Sequence, residues 1–309
     1  MLYHIMSKTA DGRFFLTPKP GIRPLCAGVV GKAQERYPMV RLYAYAFMSN
    51  HIHLMLAGAS VDIADFMAYV KREISRRIGI KYSVKGPKWQ SRYTSTALPT
   101  AQSREQCLKY ILAQGVKENL VAHPLDWPGL HCAKALSTGK QDQGQWLDST
   151  AYKRKKREQA RRPTPKKVRK ANYYEKVSIK LSPLPHWEEL PKKETQKRIN
   201  ELIDSMTQEA CEKRRETQTR VLGVKKVIQA SICQRVSPPN PPWWKERRRQ
   251  ITAWAKSRAN ETLAYLNLYY EFQEAFRLAS HRFNNDLKAE FPRGAWIPIR
   301  YFPALSAEA

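Results

Sequence analysis

His51 and His53 stand one residue apart in the run Phe47-Met48-Ser49-Asn50-His51-Ile52-His53-Leu54-Met55-Leu56. On a strand, alternate side chains share a face, so both imidazoles point one way while Ile52, Leu54 and Leu56 point the other. If Ser49 and Asn50 form a hairpin turn, Met48, Ala46 and Ala44 oppose them on that face, and the alanines leave room for a metal and a phosphate. A His-x-His strand alone also suits packed histidines, zinc sites of barrel oxygenases and histidine phosphodiesterases. The second group is Tyr110, Gln114 and Lys117, which helical spacing sets apart from the apolar stripe of Leu108, Ile111, Leu112 and Gly115. Tyr110 and Gln114 lie one turn apart and can address one site together.

These residue types fit the cleavage of a phosphodiester by a phenol. A tyrosine hydroxyl with its ordinary pKa of about 10 is protonated at neutral pH, and the reaction needs a sink for charge developing on phosphorus. Two neutral imidazoles and an amide carbonyl make a mixed nitrogen and oxygen set with open positions, suited to Mg²⁺ or Mn²⁺ acting as a Lewis acid.

The elements that must position these residues lie in the first 130 positions. Tyr3 to Ser7 and Arg13 to Leu16 flank the turn Ala10-Asp11-Gly12 as a strand or hairpin, and Ile22 to Tyr37 reads as a helix. Val40 to Phe47 and His51 to Ala57 are antiparallel strands. Ile63, Phe66, Met67, Val70, Ile74 and Ile78 draw one stripe on a helix, with Arg72 and Arg76 opposite. Tyr93 to Leu98 is another strand, and Ser103-x-x-Gln106 starts a helix running to about Leu120. The order β-α-β-β-α-β-α predicts an α+β fold, a ferredoxin-like antiparallel sheet with helices on one face, followed by a mainly helical C-terminal extension.

The chain has 309 residues, with 55 Lys and Arg against 27 Asp and Glu, a formal charge of +28. Such an excess makes a polyanion the default partner. The 42% hydrophobic and 10% aromatic content exclude global disorder. Five scattered cysteines give neither a zinc knuckle nor a disulfide scaffold, which suits a reducing cytoplasm. Neither a membrane span nor a signal peptide is expected. Residues 153–170 hold eleven basic residues and one acidic, and read as a basic arm or linker. The expected organisation is a domain over 1–135, a disordered basic linker over 136–172 and a helical extension over 173–309. Within the extension, Glu194 to Val221 reads as a charged helix, Ser237-Pro-Pro-Asn-Pro-Pro as a stiff break and Trp243 to Arg282 as a long helical region.

Three motifs in order, Phe47 to Leu56, then Trp89-Gln90-Ser91-Arg92-Tyr93, then Tyr110-Ile111-Leu112-Ala113-Gln114, resemble the REP-associated tyrosine transposases, single-tyrosine His-hydrophobic-His nucleases. The resemblance covers roughly residues 1–130, including the segment through Asp126-Trp127-Pro128. The region from Val221 to Pro292 resembles the C-terminal extension of longer members. The resemblance implies a bacterial nuclease of the nucleoid that cuts single-stranded DNA near a hairpin, with Tyr110 as nucleophile, a 5′-phosphotyrosine link, and His51, His53 and Gln114 as metal ligands. Many members have Asn-Pro where this chain has Gln114-Gly115, though glutamine keeps the carbonyl. Ser49 stands where proline is common.

Trp89, Arg92 and Tyr93, with the cations Arg72, Arg76 and Lys117, are the candidate DNA contacts, by stacking and by phosphate pairing. Packing of Trp89 on the core is the competing reading. The extension reads as an accessory region for DNA or for self-association as a homodimer. The alternative function is a hairpin DNA- or RNA-binding protein derived from such an enzyme and no longer turning over. A histidine phosphodiesterase would want a second motif, which His123 and His131 do not supply.

Overall fold

In the computed structural model, which describes residues 1–164, 166–235, 253, 260–285 and 287–295, the alternating runs of the first hundred positions become strands and the 3.6-period stretches become helices. β1 (Leu2–Lys8) leads to α1 (Ile22–Arg36), β2 (Arg41–Phe47), β3 (His51–Ala57), α2 (Ser60–Tyr82), β4 (Thr94–Leu98) and α3 (Ala101–Leu112). The strands form one antiparallel sheet in the order β2-β3-β1-β4, the ferredoxin-like βαββαβ arrangement. The two crossover helices α1 and α2 pack on each other as the expected helical layer. The added helix α3 lies over the other face, against β2, β3 and β4. Both faces are therefore covered, and Ile52 to Leu56 are all buried.

The stripe on α2 is the clearest link from pattern to core. Ile63, Phe66, Met67, Val70, Ile74 and Ile78 are all buried, and burial of each such side chain contributes roughly 1.5–3 kcal/mol. One expected element is missing. Arg13 to Leu16 form no strand, and the Leu16 N–H instead donates to the Ser49 carbonyl at 2.9 Å. Both edges of β1 are already taken by β3 and β4, which leaves no ladder for a hairpin arm.

Residues 136–172 are not a disordered linker. After α4 (Ala133–Thr138) come β5 (Gln143–Leu147), α5 (Ser149–Ala160) and β6 (Tyr174–Ser178). β5 and β6 pair antiparallel and lie on α1. The contact is backbone on backbone. A Cβ on Gly144 would fall inside the van der Waals shell of the Gly28 nitrogen, and one on Gly28 would collide with the Gln145 carbonyl. Three side chains fasten the same junction, with buried Asp142 accepting from the Tyr45 hydroxyl and pairing with Arg23. Trp146 inserts beside α2, 3.8 Å beneath the Arg77 guanidinium and stacked on Tyr69. The basic stretch becomes helical because Asp148 caps it, accepting from the Thr150 and Ala151 N–H groups.

Among the described residues α6 (Lys192–Glu216), α7 (Val224–Gln229) and α8 (Asn260–Asn284) follow. Ile199, Ile203 and Met206 put one face of α6 into the common core, beside α3 and α4. Accordingly the first compact unit runs from Met1 to Trp254 and does not end at 135, while α8 belongs to a second unit, Ala255–Ala309. The break at Ser237 to Pro242 and residues 243–252 and 254–259 of the expected long helix lie outside the described residues. The cysteines are unpaired. Among the described residues no helix is long and apolar enough to cross a membrane.

Candidate active site

The β2–β3 register has the geometry the hairpin required. Ala46 opposes His53, Ala44 opposes Met55, and the Met48 N–H donates to the His51 carbonyl at 2.9 Å. A bulge between Leu42 and Ala44 shifts only the far end. Both histidines therefore face α3.

That helix starts and stops differently from its expected span. Its cap is Thr100, whose side chain accepts from the Ser103 N–H while Ser103 Oγ accepts from the Thr100 N–H. It ends at Leu112, not near Leu120. Gly115 takes φ +88, a left-handed conformation open to glycine, and its N–H is held by the Glu118 carboxylate at 2.7 Å. Gln114 and Lys117 thus sit in the turn beyond the helix. The turn still delivers them, because Gln114 Nε2 donates to the Tyr110 carbonyl at 3.1 Å and Lys117 Nζ lies 3.8 Å from the centre of the Tyr110 ring.

Gln114 is wholly buried, with 0% exposure, and its Oε1 lies 3.4 Å from His51 Nε2. The other nitrogen of His51, Nδ1, is 2.7 Å from Asn50 Oδ1. With the ring proton on Nδ1, facing the closer oxygen, His51 donates to Asn50 and Nε2 turns a lone pair toward the amide oxygen. Two lone pairs then converge with no hydrogen between them, an arrangement that favours a cation. Burial pushes His51 down to about 4, opposed by the Gln114 contact and aided by Lys117 and Lys8. Burial, with His51, His4 and Lys117 nearby, also holds His53 well below the ordinary range. Both rings are neutral at pH 7, as metal ligands must be.

The rings of His51 and His53 meet edge to face at 4.8 Å, and the Tyr110 ring stands edge-on to His53 at 5.4 Å. Two further histidines, neither among the candidates drawn from the sequence, belong to the cluster. His4, on β1, has Nε2 at 2.9 Å from His53 Nδ1 and a ring 5.8 Å from that of Tyr110. Its signal was the alternation Leu2, His4, Met6, informative only once β1 is known to pair with β3. His131 is buried, donates from Nε2 to the Ile111 carbonyl at 3.2 Å and accepts the Ala133 N–H at Nδ1. It holds the end of the tyrosine helix.

His131 makes the site acid-sensitive. Its neutral ring uses both nitrogens, and burial, partly offset by the Ile111 hydrogen bond, lowers its pKa to about 4. The unfolded chain binds this proton more tightly, so the contribution is complete above about pH 6.5 and shrinks as pH falls toward 4. His131 alone should cost on the order of 2 kcal/mol by pH 5. Urea unfolding should show a lower midpoint at pH 5.0 than at pH 7.5, and equal midpoints would contradict a buried neutral ring.

Of the six candidate DNA contacts, Lys117 alone joins this cluster. Trp89 packs half-buried on the core and donates its indole N–H to the Lys71 carbonyl at 2.9 Å, the packing alternative. Tyr93 is half-buried against the same core and Arg92 is exposed. Arg72 lies over Tyr69 and Arg76 pairs with Glu73 at 2.7 Å, both in the helical layer across the sheet from α3.

Residues 1–114 match the family described as Transposase IS200 like. The matched segment holds both histidines, Tyr110 and Gln114, and stops one residue short of Gly115. A solved REP-associated tyrosine transposase bound to a REP hairpin is similar over 45% of this chain and 80% of that one, at 16% identity and a TM-score of 0.38. A putative transposase from Deinococcus radiodurans R1 is similar over 37% of this chain and 90% of that one, at 20% identity and a TM-score of 0.28. No curated protein matches the sequence.

Proposed function

We propose that the chain is a metal-dependent single-stranded DNA endonuclease and transposase that cuts and rejoins strands beside DNA hairpins through a 5′-phosphotyrosine link at Tyr110. The observation that carries the reading is the opposed pair His51 Nε2 and Gln114 Oε1, beside a tyrosine ring that also meets His53. His51, His53 and Gln114 would hold Mg²⁺ or Mn²⁺, and their mixed donors fit such an ion. The ion's contribution is charge stabilisation at the scissile phosphate.

Every other step belongs to the chain. The Tyr110 oxygen forms a bond to phosphorus and gives its proton to solvent, while the bond to the 3′ oxygen breaks and that oxygen takes up a proton, so the upstream strand departs with a 3′-hydroxyl. One phosphodiester replaces another, and a 3′-hydroxyl attacking the phosphotyrosine reverses the step without an external energy source. Lys117, 3.8 Å from the ring centre and 3.3 Å from the Glu118 carboxylate, would lend a positive charge to a phosphate brought to the Tyr110 hydroxyl. Incubating the chain with uncut hairpin DNA labelled at its 3′ end, downstream of the cut, should give a denaturation-resistant adduct only when Mg²⁺ or Mn²⁺ is added. Metal-independent binding without an adduct, across many hairpins, would favour the binding-only alternative.

The ordered basic helix gives this reading a second handle. On α5, Lys153, Arg154, Lys156 and Arg157 are exposed, and among the described residues none of them is in an ion pair. Neutralising phosphates releases counterions, about 0.7–0.9 for each contact. Replacing the four with Gln, which keeps helix propensity, should flatten the slope of log affinity against log salt by up to about 3. An unchanged slope would leave α5 as a solvated face.

A further inference from the structure

Resting on the metal reading above, we infer that His4 is a positioning residue that fixes the tautomer and ring orientation of His53 for metal binding. His4 projects from β1 on the same face as His53, its nearest partner diagonally across the ladder, since Met6 opposes His53 and His4 opposes Met55. Its Nε2 lies 2.9 Å from His53 Nδ1, and the rings are within 14° of parallel at 5.1 Å. Both rings are buried, at 7% and 1% exposure, so water cannot replace either partner.

A hydrogen bond between two neutral imidazoles contains one proton, and that proton has two places to sit. On His4 Nε2, it would leave the His53 proton on Nε2 and block the nitrogen a metal would use. On His53 Nδ1, it leaves Nε2 with its lone pair and makes His4 the acceptor. Only the second arrangement allows His53 to act as a ligand. Histidine ligands commonly donate their other N–H to a fixed acceptor, which sets the ring and raises its basicity. Here the acceptor is a second imidazole, and its edge also meets the Tyr110 ring at 5.8 Å. His4 thereby touches a metal ligand and the proposed nucleophile from one position.

Two substitutions separate this role from simple packing. His4→Gln sets an amide oxygen near the place of the imidazole Nε2, whereas His4→Phe fills the volume with no acceptor. Mn²⁺ binding to the full chain, followed by electron paramagnetic resonance, should weaken about 10- to 100-fold in His4→Phe and stay within about threefold of wild type in His4→Gln. In metal-free wild type, ¹⁵N shifts of labelled histidine should show His53 protonated at Nδ1, its signal assigned by loss in His53→Ala. Equal Mn²⁺ affinity in His4→Phe, or a His53 proton on Nε2 in the metal-free chain, would overturn the role of His4. The ¹⁵N result decides it even where His4→Phe fails to fold. A wild type that binds no Mn²⁺ would overturn the metal reading itself and the role of His4 with it.

Discussion

Tyr110→Phe should abolish adduct formation, lowering strand cleavage by at least about 10³-fold while hairpin affinity stays near that of wild type. The substitution removes one oxygen and keeps a ring that packs against His53 and His4, edge-on at 5.4 and 5.8 Å. Binding energy comes from the rest of a surface carrying +28, so affinity does not depend on that oxygen. His51→Ala and His53→Ala should lose cleavage in the same way, through the metal. A denaturing gel with substrate labelled at its 3′ end reads the adduct, and its mass after digestion locates the bond. Adduct at wild-type yield from Tyr110→Phe would defeat the assignment and point to another tyrosine or to water.

Gly144→Ala should be the most damaging single substitution outside the site. Its new methyl group would meet the Gly28 nitrogen, the Ala27 carbonyl carbon and the Gly28 Cα, all backbone, with no flexible side chain to yield. β5 would have to lift from α1, loosening Trp146 from Arg77 and Asp142 from Tyr45 and Arg23. The expected loss is about 3 kcal/mol, or roughly 6–12 °C in Tm for a unit of this size. Thermal unfolding followed by near-ultraviolet circular dichroism, which reports on Trp146 and Tyr45, would measure it. An unchanged Tm would mean that the second sheet adds little to the stability of the first.

The sequence made the hairpin register and the α2 stripe legible because both are local. His-x-His alternation and a three-residue connection leave one sensible pairing, and a slip by one residue would bury the wrong face. Tyr110 and Gln114 could be grouped by spacing alone, and the geometry keeps them together although the helix stops at Leu112. The stop lies at Gly115, whose φ of +88 suits glycine, but its spacing also sets it in the apolar stripe of Leu108, Ile111 and Leu112, so periodicity alone runs the helix through it. His4 was not legible for a different reason. Its partner lies 49 residues away, and nothing within either strand announces the pairing. Residues 136–172 misled through charge, since eleven cations outweighed the quieter signals of Trp146, Val177 and the cap at Asp148. Trp89 was recognised as notable, but its indole N–H is spent on Lys71.

The setting of α3 bears on stoichiometry. The helix is held by the sheet beneath it and by α6 beside it, where Lys109 pairs with Glu209 at 2.6 Å. Beyond it, the Leu222 and Gly223 N–H groups bind the carbonyls of Asn119 and Leu120. A tyrosine gripped in this way meets the histidines of its own chain, and under the proposed function that arrangement brings tyrosine and histidines together within one copy.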